Sequence, residues 1–306
     1  MLKPFEKKLA DFIVANDLFQ PSEKILLAVS GGADSVVLMY ALKKLKDAAL
    51  IQNQLFVAHI NHHLRGCFAD ADEQFVKVES SCLKLPFICR DIDVNGFACQ
   101  NKISIETAAR KLRIDALTEI AISLDCTSIA TAHHKNDNAE TVLHRLSRGT
   151  GYRGLAGIWP KRSFSRNMTF VRPLLPLSRT EIVDYLKSRG LAWQTDHTNS
   201  DTSITRNYIR HRLIPELQKD SAGLLVDELF GLSQICRKFY KKISSLADNA
   251  WPEIAEEIIK DQKVILKLNP LSSQPEPVKI ELFRRALQTI DLGERNLTQH
   301  HYRRIV

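Results

Sequence analysis

Four short apolar runs, 24–29 (KILLAV), 55–60 (LFVAHI), 86–92 (PFICRDI) and 127–132 (TSIATA), are separated by segments with the length and spacing of helices. Strands joined in this way must run parallel, and a parallel sheet is covered on both faces. Helices are expected over 3–19, 34–46, 70–85, 104–124 and 136–147. The chain therefore reads as α/β, a doubly wound, mostly parallel sheet. Ligands of such sheets bind beyond the carboxyl ends of the strands. Those ends carry Ser30-Gly31-Gly32, His59-Ile60-Asn61-His62-His63 and Ala132-His133-His134. Parallel topology predicts that all three clusters face one crevice.

The alternation stops near residue 160. Residues 170–175 read as extended and 178–189 as a helix, with Ser178 as N-cap and Glu181 three residues on. Residues 194–204 are polar and loop-like. From 205 onward helical spacing dominates, over 205–218, 222–249, 252–260 and 277–290, with a strand at 263–268. A boundary near 213–220 gives two domains, a catalytic 1–215 and a mainly helical 216–306. A helix begun at Thr298 stops at Val306 without a cap, so the second domain reads as truncated. The opening MLKPFEKKLADF has charges threaded through it and reads as no signal peptide. No run approaches the ~18 apolar residues of a membrane span, so a cytoplasmic protein with no membrane partner is expected.

Residues Ser30-Gly31-Gly32-Ala33-Asp34-Ser35 turn the first strand into its helix. A helix start has unpaired N–H groups and partial positive charge, and the glycines permit close approach. With the two hydroxyls this makes a phosphate cradle. No Lys follows the glycines, which departs from the Walker pattern. A carboxylate there would repel polyphosphate unless a divalent cation intervened, so Asp34 reads as a Mg²⁺ contact. The bland alternative is a serine/glycine turn in an ordinary βα unit. SGGxDS after a strand resembles the PP-loop of the ATP pyrophosphatase superfamily, with its adenine nucleotide α-hydrolase-like fold. Members split ATP between the α and β phosphates and adenylate an acceptor.

Half of the 12 glycines lie in two loops, this one and Gly149, Gly151, Gly154 and Gly157. Arg145, Arg148 and Arg153 flank the second cluster, a composition suited to polyphosphate or RNA backbone. The net charge of +8 points the same way, weakly. Glu106, Arg110 and Arg113 share one helix face, read either as a solvated salt-bridged face or as an arginine near a nucleotide. His133, Asp137 and Glu140 sit where a strand becomes a helix. The two acids complement the helix dipole, and with His133 they form a metal-ligand alternative that ranks below nucleotide and amine recognition. The six cysteines show no CxxC pair, so they read as free thiols and argue against a zinc ribbon or iron–sulfur cluster.

An ordered series over about 22–215 is similar to the tRNA(Ile)-lysidine synthetases. Its pieces are His59-Ile60-Asn61-His62-His63-Leu64-Arg65, Glu106-Thr107-Ala108-Ala109-Arg110, Ala132-His133-His134 with Asp137 and Glu140-Thr141, Arg148-Gly149-Thr150-Gly151 with Gly154-Leu155, Arg172-Pro173-Leu174-Leu175, and Asp196 and Asn199 before Arg206-Asn207-Tyr208-Ile209-Arg210. The resemblance implies that ATP and Mg²⁺ adenylate C2 of the wobble cytidine in a tRNA(Ile) with a CAU anticodon. Free L-lysine then displaces AMP. By matching position Ser30 to Ser35 hold ATP, Asp34 holds Mg²⁺, and Asp34, His133 and Asp137 are the catalytic set. Arg110 joins the nucleotide site, while Glu140, Arg148 and Arg206 bind substrate. Residues 216–306 match only in helical character and become the tRNA-binding domain, where Arg284, Arg285, Arg295, Arg303 and Arg304 are available. A homodimer is compatible with this reading. Two departures stand out: Asn136-Asp137 where the family has paired aspartates, and Ile114 where an aromatic is common. The alternatives are a tRNA thiolation enzyme, a small-molecule amidating synthetase, and a catalytically silent RNA-binding module.

Overall fold

The computed structural model describes residues 2–64, 66–165, 167–194, 205–258, 263–290, 297 and 299–305. The chain divides into two compact units, one comprising 1–138 and 159–201, the other 139–158 and 202–306.

In the first unit α1 (Pro4–Ala15) precedes β1 (Lys24–Ala28), α2 (Ala33–Asp47), β2 (Gln54–Asn61), α3 (Cys67–Cys82), β3 (Phe87–Asp91), α4 (Val94–Asn101), α5 (Ile105–Ser123) and β4 (Ser128–Ala130). The division falls inside α6 (Lys135–Ser147), and α7 (Tyr152–Leu155) belongs to the second unit. The chain returns to the first unit with β5 (Lys161–Ser165), β6 (Met168–Val171) and α8 (Arg179–Ser188). The sheet order is β3-β2-β1-β4-β6-β5. Every neighbouring pair is parallel except β5 with β6. The expected mostly parallel α/β sheet is therefore present.

The continuous apolar run of β1 has a direct cause. Ile25 and Leu27 point into one core cluster with α1, α2 and α8 residues, while Leu26 points into another with Ala116, Leu117 and Ile120 of α5. All three β1 residues are fully buried, so neither face tolerates a polar side chain. Because β2, β1 and β4 lie side by side in parallel, their carboxyl ends share one edge, as the topology predicts.

Two elements of this unit escape the periodicity. Helix α4 is short and contains Gly96, whose N–H is taken by the capping carboxylate of Asp93 at 2.9 Å. Strand β5 (KRSFS) is polar because it is the sheet's edge and needs no second apolar face.

The second unit continues with α9 (Thr205–Tyr208), a π-helical turn (Ile209–Leu213), α10 (Ile214–Asp220) and α11 (Leu225–Ile254). Then come β7 (Ala255–Ile258), β8 (Lys263–Leu266), α12 (Leu268–Ser272), α13 (Glu276–Thr289) and α14 (Gln299–Ile305). One core gathers Ala139, Val142, Ile209, Ile214, Val226 and Leu229; another gathers Ala247, Ile254, Leu271, Val278 and Leu282. Of the helix expected over 252–260, the described residues 252–258 form no separate helix, and 259–260 lie outside the described residues. Helix α11 runs through Pro252 to Ile254, and the following residues pair antiparallel with the expected KVIL strand. That pairing supplies hydrogen bonds a short helix would have left unmade at its ends. Among the described residues no helix is long and apolar enough to cross a membrane. The five described cysteines are free, as their spacing predicts.

Candidate active site

The loop between β1 and α2 is shaped by one glycine and stapled by one serine. Gly31 has φ +90, a conformation that disfavours any side chain, and its carbonyl accepts the N–H of Gln194 at 3.0 Å. Gly32 is different: its φ is −69 and an added Cβ would meet only Ser30 Oγ, at 3.7 Å. Backbone strain therefore does not demand glycine at 32; the space above it is open. As N-cap, Gly32 offers no side chain to the first-turn amides of α2, so that helix start stays open to an anion. Ser35 is 5% exposed and turned inward. Its hydroxyl accepts the Ser30 N–H at 3.1 Å and donates to the Gly32 carbonyl at 2.9 Å. Ser35 thus holds the loop's shape, and Ser30 Oγ lies 3.3 Å from it.

Asp34, at the second position of α2, is paired with Arg179 Nη1 at the start of α8. His134 Nε2 lies 3.6 Å from Asp34 Oδ1 and 3.5 Å from Asp137 Oδ2, so the buried His134 ring stands between two carboxylates. The sequence points to His133; the structure instead hydrogen-bonds His133 Nδ1 to Thr131 Oγ1 at 3.0 Å and puts its neighbour between the acids. Asp137 also accepts the His134 N–H at 3.0 Å, which closes the first turn of α6. Asn136 Oδ1 accepts the backbone N–H of Arg179 at 2.9 Å. His134 and Arg179 are the residues sequence reasoning missed. The doublet His133-His134 carried a signal for the first, and nothing local marks the second.

The His59–His63 segment turns the chain at the end of β2. His59 Nδ1 bonds the Val29 carbonyl at 2.9 Å, and Asn61 Oδ1 accepts the His63 N–H at 3.0 Å. Burial pushes the His59 pKa below its ordinary value, against the upward pull of Val29 and three acids. His63 Nε2 reaches Asp91 at 2.8 Å. Nearby, Glu73, Cys89 and Asp91 bring metal-ligating atoms within 4.8 Å of one another, and burial with the Glu73 contact pushes the Cys89 thiol up to about 12. With no metal bound such a thiol is protonated and donates to Glu73, while Asp91 pairs with His63.

Arg110 is exposed on α5. It acts on Arg172, whose pKa is lowered to about 10 by burial first and by Arg162 and Arg110 next. Ile114 packs against the core beside Ala116 and Leu117, so it offers no stacking surface. Asp196, Asn199 and Arg295 lie outside the described residues.

In the second unit Glu140 is 1% exposed and gripped by two guanidiniums. Arg206 Nε is 2.9 Å from Oε2, and Arg210 Nε is 2.6 Å from Oε1. Arg145 Nη1 donates to the Gly154 and Gly157 carbonyls at 3.1 and 3.0 Å, ordering the second glycine cluster, while Arg148 is exposed. Gly149 and Gly151 of this cluster line a cleft of about 430 Å³, together with His300 and Arg303.

A parallel sheet with an open, glycine-formed helix start and an acid at its second position defines a class. Residues 1–217 match the PP-loop domain, over more than half of the chain, and the chain belongs to that family. It is 40% identical over 229 residues to a tRNA(Ile)-lysidine synthase of Chlorobaculum tepidum, covering 75% of this chain and 67% of that one. That likeness puts it, within the PP-loop proteins, in the tRNA(Ile)-lysidine synthase family. A tRNA(Ile)-lysidine synthase of Geobacter sulfurreducens is 35% identical over 283 residues, covering 92% of this chain and 58% of its own length. The chain spans about three fifths of the length of the curated relatives it matches. A U34-tRNA thiolase from Methanococcus maripaludis shares the fold, with a TM-score of 0.59 at 16% identity over 76% of this chain and 79% of its own.

Proposed function

We propose that the chain ligates lysine to C2 of the wobble cytidine of a tRNA(Ile) with a CAU anticodon, in the cytoplasm, with ATP as the activating substrate. The observation that carries this reading is the open N-terminus of α2 with Asp34 in its first turn, beside His134 and Asp137. Amides with no side-chain cap receive the polyphosphate, and the Asp34 carboxylate gives a divalent cation a place beside it. Asp34 is paired with the Arg179 guanidinium, which Mg²⁺ would have to displace. The cation would neutralise charge on the phosphates as the α phosphorus is attacked.

In the first step the cytidine C2 oxygen takes the AMP moiety and pyrophosphate leaves. In the second the lysine ε-amine attacks C2 and AMP leaves. Ser30 to Ser35 hold the triphosphate, and Arg110 is a further nucleotide contact. His133 and Asp137 act around the adenylate, with His134 between the two acids. Glu140 and Arg206 are assigned to substrate. Both Glu140 oxygens are taken by guanidiniums, so a lysine amine would be received there by exchange with one of them. Arg148 and the basic helices after residue 216 would meet the tRNA backbone. Family membership, rather than the geometry alone, favours lysine over sulfur as the second substrate.

The test is an assay with ATP, radiolabelled lysine and unmodified tRNA(Ile) transcript. Lysine-dependent labelling of the tRNA with release of pyrophosphate is expected. Pyrophosphate release that needs tRNA but ignores lysine would favour thiolation, and absence of turnover a silent RNA-binding module. Asp34→Ala is expected to abolish pyrophosphate release and leave tRNA affinity nearly intact; normal turnover in that variant refutes the metal assignment.

A further inference from the structure

We propose that Arg179 holds the place of the divalent cation in the nucleotide site and yields Asp34 when metal and nucleotide arrive. This rests on the proposed nucleotide site.

Three observations support it. First, Asp34 Oδ1 accepts from Arg179 and lies 3.6 Å from His134 Nε2, and Asp137 stands on the far side of His134. Positive charge between two partly buried carboxylates beside an anion site lowers their mutual repulsion. The Arg179 guanidinium supplies it, at the oxygen a metal would take.

Second, Arg179 is fixed at its stem, and its ion-paired tip is reached by solvent. Its backbone N–H is held by Asn136, and it follows Ser178, whose hydroxyl and the Glu181 carboxylate form a capping box. Its side chain remains 44% exposed. A long side chain on a fixed stem can exchange one acceptor for another with little loss. The nearest alternative anion would sit on the amides of α2, one residue from Asp34 itself. Released by the metal, the guanidinium would have a phosphate oxygen within reach.

Third, Asn136 is neutral. It anchors the Arg179 backbone through a carbonyl oxygen without adding a competing carboxylate for the guanidinium. Asn136 thus leaves Arg179 with Asp34 as its charged acceptor in this site.

The test uses Mn²⁺ as probe, with the free ion followed by electron paramagnetic resonance, and then Mn²⁺ with α,β-methylene-ATP. Without nucleotide, Arg179→Met is expected to bind Mn²⁺ about tenfold tighter than the unmodified chain, since a competing cation has gone. Arg179→Lys keeps the charge and should bind Mn²⁺ weakly, like the unmodified chain. Arg179→Gln serves as a second neutral variant if the Met form folds poorly. The double variant Asp34→Asn, Arg179→Met should lose the gain. Mn²⁺ binding no tighter in either neutral variant overturns the proposal. Asp34→Asn separates this from the underlying reading. If it abolishes Mn²⁺-dependent analogue binding while the neutral Arg179 variants change nothing, only the role of Arg179 falls. If analogue binding survives it unchanged, the assignment of the metal to Asp34 falls too.

Discussion

At the scale of single residues, a carboxylate removed from water has to be paired, and removing its partners costs more than removing the carboxylate itself. Glu140 is 1% exposed, whereas Arg206 and Arg210 keep 44% and 36% of their side-chain exposure. The asymmetry gives a prediction. Arg206→Met with Arg210→Met strands a buried charge and should lower stability by about 3–5 kcal/mol. Glu140→Gln leaves two guanidiniums already half in water and should cost about 1–2 kcal/mol. Urea denaturation of the two variants checks the order; equal losses would show that the pair is not the buried ion cluster described. The same scale sets what sequence could reveal. Arg179 and Asp34 are 145 residues apart, and Arg206 and Arg210 stand 66 and 70 residues from Glu140. Motif spacing reports which residues share a turn, as with Ser30 to Ser35, and is silent about which cation crosses to meet them.

At the scale of elements, the start of α8 is held unusually firmly. Ser178 and Glu181 cap each other, and Glu181 also takes Lys8 of α1 at 2.7 Å. Burial alone would raise the Glu181 pKa; the Lys8 and Ser178 hydrogen bonds outweigh it and hold it below its ordinary value. A carboxylate with a depressed folded pKa stabilises fully above its unfolded value, and that contribution fades as pH falls through the folded one. The first unit should therefore lose stability below about pH 4.5, and Glu181→Gln should flatten that part of the pH profile. Ser178→Ala should cost about 1 kcal/mol at neutral pH, read from the denaturation midpoint. This cap was legible in the sequence, as were four of the five parallel strands, because each depends on residues close in the chain. Helix α4 and β5 were not: one carries a glycine and the other is an unburied edge, so neither leaves an apolar period.

At the scale of the whole molecule, charge is the property that acts at a distance. The chain carries a net +8, and its last described helix presents Arg303 and Arg304 to solvent, the former 3.2 Å from Glu276. If this helix meets RNA, neutralising both residues should weaken tRNA binding and reduce the salt slope by about one for each phosphate left without its arginine. Filter binding over a salt series measures this; an unchanged slope returns both arginines to the solvated surface.

The rims of the six-stranded sheet have a consequence of their own. One rim, β5, brings Lys161 and Arg162; the other, β3, brings Arg90 and Asp91. Neither is the long, flat, oily ribbon on which fibres seed. Charge carried at both rims works against two copies of the chain joining sheet to sheet.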